Sequence, residues 1–180
     1  MLLNTQQRYA EAEIECRKAV AIAPNNADAH GSLGNVLDRQ EKYDEAEVEY
    51  RKAIAADPAN SQAHDSLGLV LRRDQTKYEE VEPEFRKAIA ADPANSEAHA
   101  HLACLLADQN QHAEAEAEFR KAIAADPNST FAHYYFGALL DHEKKYAEAE
   151  AEYRKALAID PSDADVKESL ESLLKKRAIH

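Results

Sequence analysis

The chain has 180 residues, 44% hydrophobic and 31% charged, with only four glycines and a formal net charge of −12. That balance suits a water-compatible helical protein and provides enough chain for one elongated domain. It argues against nucleic acid or an anionic membrane surface as a partner, because both reward a face of Lys and Arg.

Taken in chain order, Met1-Leu2-Leu3 runs at once into Asn4, Thr5, Gln6 and Gln7. No apolar stretch there reaches the length of a signal peptide or a membrane span, so the default compartment is the cytoplasm. Residues 1–26 read as a partial unit: Tyr9, Ala12, Cys16, Ala19 and Pro24 form the stripe of one helix, and Met1 to Thr5 supply only the last turn of a helix before it. A complete unit spans 27–60. Ala29-His30-x-x-Leu33-Gly34 opens its first helix, Tyr43-x-x-Ala46-x-x-x-Tyr50-x-x-Ala53 builds its second, and Asp57-Pro58 ends it. Proline ends a helix because it lacks an N–H and forces the preceding residue out of the helical region.

The same pattern recurs over 61–95, 96–129 and 130–163, and Pro24, Pro58, Pro93, Pro127 and Pro161 mark it at spacings of 34, 35, 34 and 34 residues. Small residues such as Gly34 and Ala46, set beside Leu33 and Tyr50 at helical spacing, predict two antiparallel helices in close contact. The unit over 61–95 is irregular, with one extra residue before Tyr78, Val81 in place of the tight Ala, and Pro83 inside the second helix. A proline there predicts a helix that begins near Glu80 or bends there, and makes this unit the weakest joint. Residues 164–180 predict a capping helix with Val166, Leu170, Leu173 and Leu174 as its apolar stripe and Lys175-Lys176-Arg177 complementing its dipole.

Spacing and residue types together resemble the tetratricopeptide repeat family, over nearly the whole chain. The resemblance implies an all-α fold, an α-solenoid of antiparallel helical hairpins wound as a right-handed superhelix. The family usually carries Trp or another bulky residue where this chain has His30, His64, His99 and His133, so each first helix here begins with a smaller, partly polar plug.

Glu–Arg pairs four residues apart (13/17, 47/51, 82/86, 116/120, 150/154) each add about 0.2–0.5 kcal/mol to a helix. The Glu-x-Glu runs read as a solvated outer face. Ser61, Ser96 and Thr130 read as helix caps. Cys16 and Cys104 are expected as free thiols, Cys16 as a small buried hydrophobe. No phosphate loop, nucleophile motif or metal-ligand spacing occurs, and His99 and His101, two apart, point to different faces, so no enzyme, cofactor or metal site is expected.

In the family, the first helices of successive hairpins line a concave groove that holds an extended peptide or a partner helix. By register, the resemblance implies Asn35, Arg39, Arg72, Arg73, His101, Phe131, Tyr134, Tyr135 and His142 as groove residues, with Tyr and Arg the typical anchors. One subset of the family grips chaperone C-terminal carboxylates with Lys and Asn in one unit, Asn in the next, and Lys and Arg in a third. The matching positions here hold Gly31, Asn35, Ser66, Glu97 and His101, or one unit later Asp65, Leu69, His101, Phe131 and Tyr135, which disfavours such tails. The implied role is a non-catalytic scaffold for a protein or peptide partner. Two alternatives stay open: self-association as a homo-oligomer through an N-terminal edge of Tyr9, Ala12, Cys16 and Val20, or a regulatory fragment of a longer protein.

Overall fold

The computed structural model describes residues 2–179, with side chains described for residues 8–177. Met1 and His180, the outermost residues of the first and last predicted segments, lie outside them. The described residues form ten α-helices: α1 Leu2–Ile22, α2 Ala27–Arg39, α3 Tyr43–Ala56, α4 Ser61–Leu71, α5 Tyr78–Ala91, α6 Ser96–Asp108, α7 His112–Ala125, α8 Thr130–His142, α9 Tyr146–Ile159 and α10 Ala164–Ile179. Two compact units divide after Pro93, one holding α1–α5 and the other α6–α10. Helix α1 runs unbroken from Leu2, so the expected break between a last turn at Met1–Thr5 and the stripe beginning at Tyr9 does not occur.

Each first helix starts where a polar side chain satisfies a free N–H: Asn26 accepts from Ala29 at 2.8 Å, Asn60 from Ala63 at 2.9 Å, Asn95 from Ala98 at 2.9 Å and Ser129 from Ala132 at 3.2 Å. This corrects the expectation for Ser61, Ser96 and Thr130, which are the first helical residues rather than caps. The Ser61 and Ser96 hydroxyls instead donate to the carbonyls of Ala88 and Ala122, each at 2.9 Å, on the last turns of α5 and α7. At the helix ends before proline, Asp57, Asp126 and Asp160 accept the N–H two residues on, folding the chain back.

Within each hairpin the helices meet at a small residue facing a large ring. A Cβ built on Gly34 would lie 2.6 Å from Tyr50 Cε1, one on Gly68 2.6 Å from Phe85 Cε1, and one on Gly137 2.8 Å from the Tyr153 ring. Ala103 takes the same register opposite Phe119, and both are buried. Three hairpins turn through a residue with positive φ, namely Glu41, Asn110 and Lys144. The second does not: its extra residue makes a 3₁₀ turn, Gln75–Lys77, capped by Asp74, whose Oδ1 accepts from the Thr76 N–H at 2.9 Å. Helix α5 therefore begins at Tyr78, the register of Tyr43, His112 and Tyr146, and not near Glu80; Pro83 stays inside it on an exposed position.

The four periodic histidines hold the hairpins together. His30, His64, His99 and His133 are 3–5% exposed, and their Nδ1 atoms lie 2.5–2.6 Å from carboxylate oxygens of Glu49, Glu84, Glu118 and Glu152 on the second helices. Nε2 of His30, His64 and His133 meets the carbonyls of Pro24, Pro58 and Pro127 at 2.9, 3.2 and 3.1 Å. A ring protonated on both nitrogens satisfies both contacts. Each glutamate also takes a lysine one turn on: Lys52, Lys87, Lys121 and Lys155. Burial pushes the Glu49, Glu84 and Glu118 carboxyls up, yet the bonds from their Lys and His partners outweigh it and leave them below the ordinary carboxylate range.

The acidic runs are thus more than a solvated face. All five expected Glu–Arg pairs form, and four of these glutamates also bind a cation from the next hairpin or from α10. Glu13 takes Lys42 at 2.8 Å, Glu47 takes Lys77 at 2.7 Å, Glu116 takes Lys145 at 2.8 Å, and Glu150 takes Arg177. The Lys42 and Arg17 partners of Glu13 bring its carboxyl down to about 2. On α10, Val166 and Leu173 are buried, but Leu174 is 40% exposed and falls off the predicted stripe. Its C-terminal cations reach across to neighbouring helices, Lys176 to Asp141 at 2.6 Å and Arg177 to Glu150.

Gly68→Ala should lower stability by about 1–3 kcal/mol, because the buried Phe85 ring must shift, whereas Gly31→Ala, with nothing within 4 Å of its Cβ, should raise it by about 0.5–1 kcal/mol; denaturant midpoints read both. The lowered carboxyls stabilise the fold fully above their unfolded pKa of about 4.3, and that contribution drains away as pH falls through the lower folded values. Thermal midpoints should hold between about pH 7 and 5 and drop steeply below about pH 4.3, while Glu84→Gln should start lower by about 1–3 kcal/mol and fall less steeply. A midpoint that does not move between about pH 5 and 3 would contradict this.

Candidate functional site

In the first unit, α2 and α4 pack side by side as well as against α3 and α5. Between them opens a cavity of about 340 Å³ lined by Asp28, Ser32, Asn35, Tyr50 and Ser66. Tyr50 is buried and donates its hydroxyl to Asn35 Oδ1 at 2.8 Å; burial, then the Asp38 charge, pushes its phenol well above the usual range. Asn35 therefore stands on the predicted face with one acceptor already engaged. Arg39 is exposed at the end of α2 and Arg72 is half-buried. Arg73 lies back on the preceding hairpin: its guanidinium sits 4.4 Å from the Tyr43 ring centroid, Nη1 donates to the Tyr43 hydroxyl at 3.2 Å, and Nε is 4.0 Å from Asp38. Asp65, placed on this face by register, is only 1% exposed.

In the second unit a run of rings crosses α6, α8 and α9. His101 and Phe131 centroids are 5.3 Å apart, Phe131 and Tyr135 4.4 Å, Tyr134 and Tyr135 4.9 Å, and Tyr134 and Tyr153 6.0 Å. Phe131 and Tyr135 remain 39% and 40% exposed, while Tyr153 is buried. Beside Tyr134 lies a cavity of about 300 Å³ whose other walls include Asp141, Tyr153, Asp165, Glu168 and Ser169. Burial, then the charge of Asp141, pushes the Tyr153 phenol up. Asp141 Oδ2 accepts from Lys176 at 2.6 Å, and its Oδ1 is buried without a hydrogen bond. His142 is not part of this run. Its ring packs edge-on against His112 at 5.1 Å, and His112 Nδ1 is 3.5 Å from Glu143.

Register alone missed the contribution of α10. Asp165 and Glu168, three apart on one helical face, close the cavity that Tyr134 opens, and that spacing was the available signal.

On the predicted edge, Tyr9, Ala12, Cys16 and Val20 are all half-buried on α1, which packs against α2. The Tyr9 carbonyl accepts from Gln40 at 3.0 Å. Burial, then Glu15, raises the Cys16 thiol; both cysteines are free, Cys104 buried. On the same helix Ile14 and Ile22 are 55% and 85% exposed. Among the described residues no group of three His, Cys, Asp or Glu side chains could hold a metal ion, and no helix is long and apolar enough to cross a membrane.

Two tetratricopeptide repeat family models match the chain, one over residues 3–69 and the other over 71–130 and 101–164. No curated protein sequence matches it. Among solved structures, a thermophilic tetratricopeptide repeat protein of Thermus thermophilus is 20% identical, covering 96% of this chain and 94% of its own, with a TM-score of 0.78. YrrB, described as a repeat protein with an unusual peptide-binding site, is 24% identical over 94% of this chain and 87% of its own, with a TM-score of 0.67. The first repeat domain of Spaghetti (RPAP3), bound to the HSP90 peptide SRMEEVD, is 24% identical over 66% of this chain and 96% of its own, with a TM-score of 0.62.

Proposed function

Because the chain belongs to the tetratricopeptide repeat family, we propose that it is a non-catalytic scaffold that binds an extended peptide or partner helix on the first helices of its hairpins. The observation that carries this reading is the pair of rings Phe131 and Tyr135, left 39% and 40% exposed on α8 within a contiguous aromatic run. Large rings kept in water at one place favour a partner, and Tyr is a typical anchor. The peptides that YrrB and the Spaghetti domain are described with support a protein-interaction role in general. An acidic tail such as SRMEEVD fits poorly on the second unit, since α6 and α8 offer no lysine or arginine to hold its carboxylates. Arg39, exposed at the end of α2, supplies a cation for a partner's acidic groups in the first unit.

A second reading, self-association through Tyr9, Ala12, Cys16 and Val20, is favoured by the exposed Ile14 and Ile22 on the same helix.

A pull-down from lysate with the full chain and with a Phe131→Ala, Tyr135→Ala, Arg39→Ala variant, matched for helicity by circular dichroism, tests both. Partners lost only from the variant support the binding faces. Unchanged partners refute them, and a mass that climbs with concentration in light scattering shifts the assignment to α1.

A further inference from the structure

The aromatic run of the second unit has a definite electrostatic setting. Helices α6 and α8 contain no lysine or arginine, whereas Glu97, Asp108 and Asp141 lie on them. Helix α10 adds Asp165 and Glu168 to the walls of the cavity beside Tyr134. Lys167 falls between these two in sequence, but one step along a helix turns it off their face, and it does not line the cavity. One wall of this cavity already receives an ammonium group, since Lys176 bonds Asp141 Oδ2 at 2.6 Å. The chain also stacks its own cations on rings: Arg73 lies 4.4 Å from the Tyr43 centroid and Arg120 5.6 Å from that of Phe136.

We propose that the face formed by Phe131, Tyr134 and Tyr135, with the adjoining cavity, takes a peptide segment that carries arginine or lysine next to an apolar residue. The apolar residue packs on the exposed Phe131 and Tyr135 rings, and the cation lies over the Tyr134 face with its head toward Asp165 and Glu168. A ring face attracts a cation through its quadrupole, and carboxylates placed behind it add a Coulombic attraction that a partner glutamate would meet as repulsion. This assignment rests on the binding role proposed above and gives it a chemical class of partner.

The test is selection of a displayed random-peptide library on the full chain, followed by affinity measurements of the recovered peptides on three variants of matched helicity. Recovered peptides should be enriched in Arg or Lys beside an apolar residue. Their affinity should fall about tenfold with Phe131→Ala plus Tyr135→Ala, and severalfold with Asp165→Asn plus Glu168→Gln. It should hold with Glu114→Gln plus Glu148→Gln, which removes the same charge from exposed positions on α7 and α9. Neutral or acidic peptides that are lost with the aromatic variant overturn the cationic assignment while the binding face stands. Basic peptides weakened equally by the Glu114 and Glu148 changes overturn it as bulk attraction to a chain of net charge −12. Peptides indifferent to every variant, or no enrichment at all, overturn both readings.

Discussion

A buried imidazole set against a buried or half-buried carboxylate joins the two helices of each hairpin, at His30 with Glu49, His64 with Glu84, His99 with Glu118 and His133 with Glu152. Such a pair is costly to desolvate, and it is tolerated only when further hydrogen bonds satisfy both partners. Here a lysine one turn along the second helix completes the carboxylate, and the carbonyls of Pro24, Pro58 and Pro127 complete the rings of His30, His64 and His133. The clasp is directional, so it fixes which faces of the two helices meet, while the glycine or alanine opposite Tyr50, Phe85, Phe119 and Tyr153 fixes how closely. Together they fix the hairpin, while side chains such as Asn35, Phe131 and Tyr135 on the first helices stay exposed.

The first helices are where the units differ. The second helices repeat almost residue for residue, but α2 ends in Arg39, α4 is followed by Arg72 and Arg73, and α8 presents Phe131, Tyr134 and Tyr135. A repeated frame with unrepeated first helices suits a protein-interaction scaffold: stability comes from the frame, and the units differ in the side chains of their first helices.

Much of this was legible in the sequence. Prolines at a fixed period, with Leu33-Gly34 and Tyr50 in helical register, identified the hairpins and their close contact. The same rules could not separate Glu45, Glu47 and Glu49, three carboxylates in one acidic run, of which the first is exposed, the second half-buried between Arg51 and Lys77, and the third buried on His30. Which of them is buried depends on the placement of a helix nineteen residues earlier, beyond the reach of local spacing. Ser61 was misread for a different reason. Asn60, one position earlier, has the extended backbone that a cap requires, so the serine hydroxyl was left to bond the Ala88 carbonyl. On the candidate faces, the aromatic positions followed from register, but the turning of Arg73 onto Tyr43 and the closing of a cavity by α10 depend on tertiary packing.

The 3₁₀ turn at Gln75–Lys77 takes up a residue that the other hairpins lack, yet Tyr78 still begins its helix in the common register and Val81 and Phe85 are fully buried. The hairpin tip therefore uncouples chain length from helix phase. Additional residues at that point change only the connector, so the tips are where this architecture can lengthen, or accept a spliced-in segment, without disturbing the faces on either side.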